Sequence, residues 1–400
     1  MNKKFFLISQ VFYPDEVSTA GLFTNLCEEI AKKEVVVEVW CSQPSYNIRK
    51  RQPKKLNYNG INISYLASTN FNKNSILGRL LNYTTFSISL IFRILFTSDK
   101  TPLFTSTNPP YLGFLVTLFA SLKKRKVYYI IQDVFPDGII KLGKIKEKGL
   151  VANIWHGINR YTLKKAEKVI VIGRDMIPVL SKTHKHLLSK VIYIPIWQDA
   201  ELINPQKFTE NSFVKEHKLE DKFVVQYSGN MGLWNDMKTY GLAANKLKSE
   251  DILFTFIGDG IRKKELIKAL GDPLQQNVLF LPFQPKENLS NSLTACHVAL
   301  ISLNKGLEGI AVPSKIMGIL AAGIPSIALV PKSSEIAQII QEAECGIVIE
   351  PGNVDDLVEA IKNMRDNHAE RKRLALNARM VFLQKFNTNK IAEEYIQLLY

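Results

Sequence analysis

Short apolar runs alternate with amphipathic stretches along this chain of 400 residues, and this alternation sets the strongest limit on its fold. A first series of runs, rich in β-branched and aromatic residues, covers 5–9, 35–42, 102–108, 127–133, 168–173 and 191–196. A second series covers 223–230, 252–260, 277–282, 298–303, 325–330 and 346–351. Apolar strands separated by helices are typical of parallel sheets covered on both faces. Two such series predict an α/β protein with two doubly wound domains.

A polar segment at 200–212, "AELINPQKFTENS", predicts the domain boundary. We expect a first Rossmann-like domain over 1–198, a second over 199–375, and helices over 376–400 that cross back to the first. Ligands of open parallel sheets bind beyond the carboxyl ends of the strands. The predicted site is therefore a central cleft that the two domains face.

The charge is unevenly distributed. Residues 1–200 hold 29 Lys and Arg against 13 Asp and Glu, whereas the whole chain holds 52 against 37 and has a net charge of +15. A basic half suits an anionic partner such as nucleic acid, lipid headgroups or a phosphorylated substrate, although surplus lysines also serve solubility. A nucleic-acid binder is the least favoured class, because no recognition motif accompanies the charge.

The four cysteines are far apart in sequence and form no C-x-x-C pair, which indicates neither a zinc site nor a disulfide framework. The apolar run near the start is too short for a signal peptide and predicts a first strand. We therefore expect a cytoplasmic protein without a protein-bound metal.

Two glycine-rich loops, "YSGNMG" and "FIGDG", follow successive strands of the second series. Glycine lets backbone amides approach a ligand, and cations just after the second loop can neutralise a diphosphate. The alternative is that a strand-to-helix turn needs glycine for geometry alone. The donor-binding candidates from these loops are Gly229, Asn230, Gly232, Gly258, Gly260 and Arg262.

The segment 307–326, "LEGIAVPSKIMGILAAGIPS", contains a single acid, Glu308. Pro313 predicts that a helix begins here, with its free amides toward the cleft. Lys315 would lie in the first turn, where a cation opposes the helix dipole, and this favours a phosphate partner. For Glu308 the alternative is an ordinary surface acid. We take Glu308 as a catalytic candidate, and Pro313, Ser314 and Lys315 as donor-binding candidates.

Asp133 ends the strand-like run 127–133 of the first domain. A carboxylate here could accept a proton from an acceptor or contact a donor sugar, which makes Asp133 the second catalytic candidate. The alternative is an N-cap for the turn that follows.

In order along the whole chain, the motifs resemble the retaining glycosyltransferases of family four, which have the GT-B fold. The resemblance rests on "FYPDEVSTAG", "SYN", "STNPPYLG", "QDVFPD", "YSGNMG", "FIGDG", "VPSKIMGILAAGIP", "SEIAQIIQEAECGIVIEPGN" and "NARMVFLQKF". The chain is most similar to the bacterial branch that builds surface polysaccharides such as O-antigen and capsule, which includes N-acetylfucosamine transferases.

The resemblance implies that a hexosyltransferase-type enzyme moves a sugar, for instance an N-acetylated amino or deoxy sugar, from a UDP-sugar to a glycan acceptor with retention. No cofactor beyond the nucleotide-sugar is implied. Glu308 resembles the first glutamate of the family's E-x7-E signature, which contacts the donor sugar. The amides of Gly309 and Ile310 would lie near the sugar and diphosphate, and Gly21 matches a small-residue loop near donor and acceptor.

Two positions depart from the family pattern. Gly318 stands where the second glutamate usually holds the ribose, and Glu335 is the nearest acid that could replace it. Asn235 stands where an arginine or lysine is common, so Arg262 or Lys315 becomes the expected diphosphate partner.

The segment 76–96 is long enough to cross a bilayer, but Arg79 and Arg93 make spanning costly. An interfacial helix pair with 110–126, which ends in four consecutive cations, is the favoured hypothesis, and helices that merely cover the sheet are the alternative. Membrane contact would suit a polyprenyl-diphosphate-linked acceptor and a peripheral location on the inner face of the plasma membrane.

Two other functions stay open from the sequence. One is a nucleotide-sugar 2-epimerase of the same fold, and the other is a non-catalytic partner in a polysaccharide assembly complex, which the missing acid at Gly318 suggests.

Overall fold

The structure, a computed structural model, describes residues 3–45, 50–72, 75–271 and 275–400, without the side chains of 183–187. Two residues of the "SYN" motif, Tyr46 and Asn47, lie outside the described ranges. The chain divides into two compact units. The first consists of Met1–Pro195 together with Thr388–Tyr400, and the second of Ile196–Asn387.

The first unit is built on an eight-stranded sheet with the order β3-β4-β2-β1-β5-β6-β7-β8. Its strands are β1 Lys4–Ile8, β2 Val36–Cys41, β3 Lys55–Tyr58, β4 Ile61–Tyr65, β5 Leu103–Ser106, β6 Val127–Ile131, β7 Lys168–Val171 and β8 Val191–Tyr193. Its helices before the boundary are α1 Ser18–Lys32, α2 Ile76–Phe96, α3 Leu112–Leu122, α4 Asp137–Lys141, α5 Leu150–Lys165 and α6 Met176–His184. All strand pairs are parallel except β3 with β4.

The second unit contains a fully parallel six-stranded sheet with the order β11-β10-β9-β12-β13-β14. Its strands are β9 Phe223–Ser228, β10 Ile252–Ile257, β11 Val278–Leu281, β12 Val298–Ser302, β13 Ser326–Leu329 and β14 Gly346–Ile349. Its helices are α7 Ser212–Glu216, α8 Met237–Lys246, α9 Lys263–Leu270, α10 Leu289–Leu293, α11 Lys315–Ala322, α12 Glu335–Ala343, α13 Val354–Asp366 and α14 His368–Val381, followed by a π-helical turn over Phe382–Phe386. The order reverses between β9 and β12, which is where such sheets bind ligands.

The predicted α/β class with two doubly wound sheets is confirmed, and each of the twelve apolar runs contains a strand. The hairpin β3–β4 was not predicted. Its turn is formed by Asn59 and Gly60, with φ values of 48° and 81°. Asn-Gly between two strands is the strongest short-range hairpin signal, so this sequence feature could have revealed it.

The last helix, α15 Thr388–Gln397, belongs to the first unit and packs on α1. Tyr395 is fully buried, with its ring 6.1 Å from that of Phe5 and 6.0 Å from that of Phe104. The chain thus returns to the first unit at Thr388, whereas the sequence analysis placed the return at 376. The chain first passes from the first unit to the second between Pro195 and Ile196, close to the expected boundary at 198.

Helix α2 covers the whole segment 76–96, for which membrane contact was predicted. Its Asn82 is buried, donates to the carbonyl of Phe71 and accepts from the amide of Phe71, both at 2.9 Å. Seven large apolar side chains of α2 are nevertheless exposed: Ile76, Leu77, Leu80, Leu81, Ile88, Phe92 and Phe96. Within the described ranges, none of the helices combines the length and apolar character needed to cross a membrane.

Candidate functional site

Two loops meet at the carboxyl edge of the second sheet, where its strand order reverses. One follows β9 and begins at Gly229, and the other follows β12 and leads to α11. The amide of Asn304 donates to the carbonyl of Trp234 at 2.7 Å, and its side-chain amide donates to the carbonyl of Leu233 at 3.1 Å. These bonds hold the segment with Glu308 against the glycine loop. Asn304 belongs to none of the sequence motifs and was therefore not predicted.

The two glycine-rich loops are also bonded to each other. The amide of Met231 donates to Asp259 O at 2.8 Å, and that of Arg262 donates to Met231 O at 3.0 Å. A Cβ atom at Gly258 would lie 2.4 Å from Gly229 O, and φ at Gly258 is +121°. At Gly260 the Cβ atom would lie 2.4 Å from Met231 O. Loop packing and backbone conformation therefore account for glycine at 258 and 260 without a ligand.

Three backbone amides of these loops already donate hydrogen bonds within the protein. Gly229 donates to Ile257 O and Gly258 to Leu281 O, while Gly260 donates to its neighbour Asp259. These three amides therefore already have acceptors within the protein, while the role of the three glycines in donor binding stays a prediction. In the described ranges the amides of Asn230 and Gly232 have no hydrogen-bond acceptor, and they remain donor-binding candidates.

Asn235 stabilises the first glycine loop from within. Its side chain is 7% exposed and donates to the carbonyls of Asn230 at 3.2 Å and Gly232 at 3.4 Å. A neutral amide at this position orders the loop but brings no positive charge. Lys238 is exposed on α8. The positive charge at the loop therefore comes from another residue, Lys315.

Lys315 is the first residue of α11 and reaches the same loop. Its Nζ atom donates to the hydroxyl of Tyr227, lies 3.4 Å from Asn230 O and stands 4.0 Å from the centroid of the Tyr227 ring. A Cβ atom at Gly229 would lie 3.4 Å from this Nζ. No carboxylate of the described residues comes within ion-pair distance, and burial lowers the pKa of Lys315 to about 7.

The positive charge of Arg262 is balanced by an acidic side chain in the same helix turn. Its Nη1 atom lies 2.7 Å from Glu265 Oε2, and the neighbouring Lys263 lies 3.8 Å from Asp259. Of the two expected diphosphate partners, Lys315 is therefore the one whose charge has no acidic partner among the described residues.

The first turn of α11 contains backbone amides that have no hydrogen-bond acceptor among the described residues. Pro313 has no N–H, and the amides of Ser314 and Lys315 have no acceptor in the part of the chain that the structure describes. The amide of Ile310, by contrast, donates to Leu307 O at 3.2 Å, and Gly309 has a positive φ of 72°. The start of α11 therefore offers two amides and an ammonium group beside the glycine loop.

The acids of this unit differ in their surroundings. Glu308 is half-buried, and its Oε2 atom is enclosed without a hydrogen-bond partner among the described residues. Glu335 is 1% exposed at the start of α12, after β13. A Cβ atom at Gly318 would lie 3.3 Å from Leu293 Cδ1 and 3.7 Å from Ile203 Cδ1, so this position faces apolar side chains.

Two candidates lie in the first unit. Asp133 follows β6, and its amide and that of Gln132 donate to Thr107 Oγ1 at 3.3 and 3.1 Å. Burial raises the pKa of Asp133 to about 6. Helix α4 begins after Pro136 without a side-chain cap, so Asp133 is not its N-cap. Gly21 lies in α1, and a Cβ atom there would meet nothing within 4 Å.

Among the described residues, no group of three His, Cys, Asp or Glu side chains is arranged to hold a metal ion.

The chain is similar to known glycosyltransferases. Residues 208–381 match the family described as glycosyl transferases group 1. The chain is 27% identical over 279 residues to "Probable glycosyltransferase WbjE" of Pseudomonas aeruginosa, with 69% of each chain covered. It is 26% identical over 302 residues to "Putative colanic acid biosynthesis glycosyl transferase WcaI" of Escherichia coli, with 72% of each chain covered.

Solved structures agree with the GT-B fold expected from the sequence. Sucrose-phosphate synthase of Thermosynechococcus elongatus superposes with a TM-score of 0.73 at 15% identity and covers 99% of this chain and 98% of its own. HepE of Anabaena in complex with UDP gives a TM-score of 0.68 at 14% identity and covers 99% of both. The fold is therefore GT-B.

Proposed function

We propose that this chain, which matches the group 1 glycosyl transferases over residues 208–381, is a retaining, hexosyltransferase-type enzyme that uses a UDP-sugar. The acceptor is a glycan linked to a polyprenyl diphosphate, and the product enters a bacterial surface polysaccharide such as O-antigen or capsule. A UDP donor is supported by HepE, which is similar in structure and was solved in complex with UDP and with UDP-glucose, and the polysaccharide role by WcaI, which is named for colanic acid biosynthesis.

The observation that carries the proposal is the position of Lys315. An ammonium group without an acidic partner among the described residues stands at the first turn of α11, beside the open amides of Asn230 and Gly232. A diphosphate is the ligand that would compensate this charge and accept from these amides at once. The position at the strand-order reversal of a parallel sheet is also where such sheets bind nucleotides.

Glu308 and Asp133 receive separate roles in the proposed reaction. Glu308 accepts a hydrogen bond from a hydroxyl of the donor sugar, which would satisfy its enclosed Oε2 atom. In the transfer, the bond from the anomeric carbon to the diphosphate oxygen breaks, and a bond to the acceptor oxygen forms on the same face. The departing phosphate takes the proton of the attacking acceptor hydroxyl, and Asp133 accepts a hydrogen bond from another hydroxyl of the acceptor.

The donor is tested by thermal unfolding of the full chain against UDP-, GDP- and dTDP-sugars, since a ligand of the folded state raises the midpoint. We expect a UDP-sugar to raise it. Lys315→Ala should weaken binding about tenfold to a hundredfold, because a charge-assisted contact contributes about 1.5–3 kcal/mol. Lys268→Ala removes an exposed charge from α9 and is the matched control.

The outcomes separate the alternatives. A product whose new linkage keeps the donor's anomeric configuration, measured by NMR, supports retention, and an inverted linkage contradicts it. An epimer formed from donor alone would indicate the 2-epimerase instead. Undiminished product from Glu308→Ala would contradict the role of Glu308 and favour a non-catalytic partner.

The acceptor proposal includes peripheral contact with the inner membrane surface through α2, α3 and α5. Helix α3 packs against both other helices, and the first turns of α5 add exposed Leu150, Val151 and Ile154 to the apolar side chains of α2. Arg79, Arg93 and Lys124 are exposed in these helices or just after α3, whereas Arg125, in the same run of cations, is buried. Apolar burial combined with attraction to anionic headgroups is the physics of an interfacial helix.

Vesicle sedimentation tests this contact. We expect the protein to bind vesicles that contain anionic lipid, and Phe92→Glu with Phe96→Glu to lose most of that binding. Leu376→Glu changes a comparably exposed leucine in the second unit and should keep it. Equal binding by all three proteins, or no binding by the wild type, would overturn the membrane proposal.

A further inference from the structure

Tyr227, at the carboxyl end of β9, is fully buried although it ends in a hydroxyl group. The hydroxyl donates to Asn230 O at 2.8 Å and accepts from Lys315 Nζ. The ring face lies 4.0 Å from the same ammonium, within the range of a cation–π interaction. A single side chain thus supports both the glycine loop and the lysine that reaches it.

The ammonium of Lys315 is held in unfavourable surroundings. It stands in the first turn of α11, where the helix dipole repels a cation, and the residue is half-buried. Glu308, in the loop before α11, makes no ion pair with Lys315, and three charged groups of the neighbouring elements are engaged elsewhere. Arg379 of α14 donates to Ala321 O at the far end of α11, Arg262 pairs with Glu265, and Asp236 caps α8.

We propose that Tyr227 is a positioning residue that holds the amine of Lys315, without an acidic partner among the described residues, beside the Gly229–Gly232 loop, so that the donor's diphosphate becomes its counter-ion and binds together with a proton. This inference rests on the proposed function and deepens it, because it assigns a residue that acts on the donor through Lys315.

A linkage between anion and proton follows from the electrostatics. The pKa of Lys315 is lowered to about 7 by burial, so the side chain is largely neutral in the free protein above that pH. A bound diphosphate favours the charged form and raises the pKa. Nucleotide binding between pH 7 and 9 therefore takes up a proton, and the affinity falls as the pH rises through this window.

Isothermal calorimetry of UDP on the full chain tests the proposal. UDP is suitable because its phosphate charge is nearly constant above pH 7, since the second pKa of a terminal phosphate is about 6. Titrations in two buffers of different ionisation enthalpy measure the protons taken up. For the wild type we expect an uptake that approaches one proton per UDP above pH 8, and an affinity that decreases toward pH 9.

Tyr227→Phe keeps the ring and removes the hydroxyl. We expect it to bind UDP roughly tenfold more weakly at pH 7.5, since one hydrogen bond to a charged group is lost. Its pH dependence should also move to lower pH. Tyr240→Phe is the matched control, because Tyr240 is equally buried with its ring 5.8 Å from that of Tyr227. It should match the wild type in both respects.

Lys315→Met provides a second readout that does not depend on Tyr227 or on its contribution to folding. It should abolish both the proton uptake and the pH dependence. The proposal is overturned if wild-type binding is flat from pH 7 to 9 without proton uptake, or if Tyr227→Phe behaves as Tyr240→Phe does. A wild type that binds no nucleotide or nucleotide-sugar would overturn the proposed function itself, which is a different result.

Discussion

Two single residues show how burial alone moves ionisable groups toward neutral pH in this protein. Lys315 and Asp133 lie after strands of different sheets, and removal from water lowers the pKa of the first to about 7 and raises that of the second to about 6. In both cases the charged form is the one that loses hydration. Such shifts are common where a protein performs acid–base chemistry or binds charged ligands.

The proposed role of Asp133 predicts a pH dependence. The carboxyl is protonated below pH 6 and ionised above it, so a role as hydrogen-bond acceptor requires the higher pH. We expect kcat to rise from pH 5 to 7, and Asp133→Asn to lower kcat by about a hundredfold and to remove this rise. The measurement is the dependence of kcat on pH with the nucleotide-sugar that raises the midpoint of thermal unfolding.

Asp137→Asn serves as the control, since Asp137 begins α4 and is only half-buried. It should leave the profile unchanged. An Asp133→Asn protein that retains the wild-type profile would assign the rising limb to another group.

At the scale of single elements, glycines that were predicted to bind the donor differ in whether packing explains the absence of a side chain. Gly258 is required by loop packing, because a Cβ atom would lie 2.4 Å from a carbonyl oxygen. Gly21 in α1 has open space around it and no positive φ. Nothing in the described residues explains a glycine inside that helix, where alanine would be more stable.

Gly21→Ala therefore separates stability from function. We expect it to raise the free energy of unfolding by about 0.5–1 kcal/mol, as alanine does in a helix interior, and to lower kcat/KM if a substrate approaches this position. Denaturant unfolding and steady-state kinetics measure the two effects. Gly157→Ala in α5 is the matched control, with equally open space, and should stabilise without loss of activity. Unchanged kinetics in both variants would remove Gly21 from the site.

At the scale of the whole molecule, the chain leaves the first unit at Pro195 and ends in it again. Helix α15 is held by Tyr395 and by polar contacts of Lys33 with Asn389 at 3.3 Å and with Glu393 at 3.2 Å. The hydroxyl of Tyr128 also donates to Leu398 O at 3.0 Å. The last residues of the chain therefore complete the core of the first unit.

Tyr395→Ala should destabilise the first unit selectively. Loss of a fully buried aromatic ring costs about 3–5 kcal/mol, so the calorimetric transition of the first unit should move to lower temperature while that of the second stays in place. Tyr400→Ala, at an 82% exposed residue, is the control and should shift neither. A shift of the second transition instead would mean that α15 does not stabilise the unit to which it belongs.

Most of the fold follows from the local sequence. Apolar β-branched runs predict strands and amphipathic stretches predict helices, because both patterns reflect periodicities of a single segment. The positions of the candidate loops follow as well, since ligands bind where parallel strands end. The hairpin β3–β4 was missed because its strands, at the sheet edge, carry polar residues such as Asn57 and Asn62.

The sequence by itself thus determined two doubly wound sheets and the loops that could bind a donor, because both depend on neighbours along the chain. Only the tertiary structure decided which of two basic side chains, Arg262 or Lys315, lacks an acidic partner in the described residues. It likewise decided that Tyr227 supports that lysine and that Gly258 serves packing. Charge compensation and steric contact depend on groups far apart in sequence, and folding alone brings those groups together.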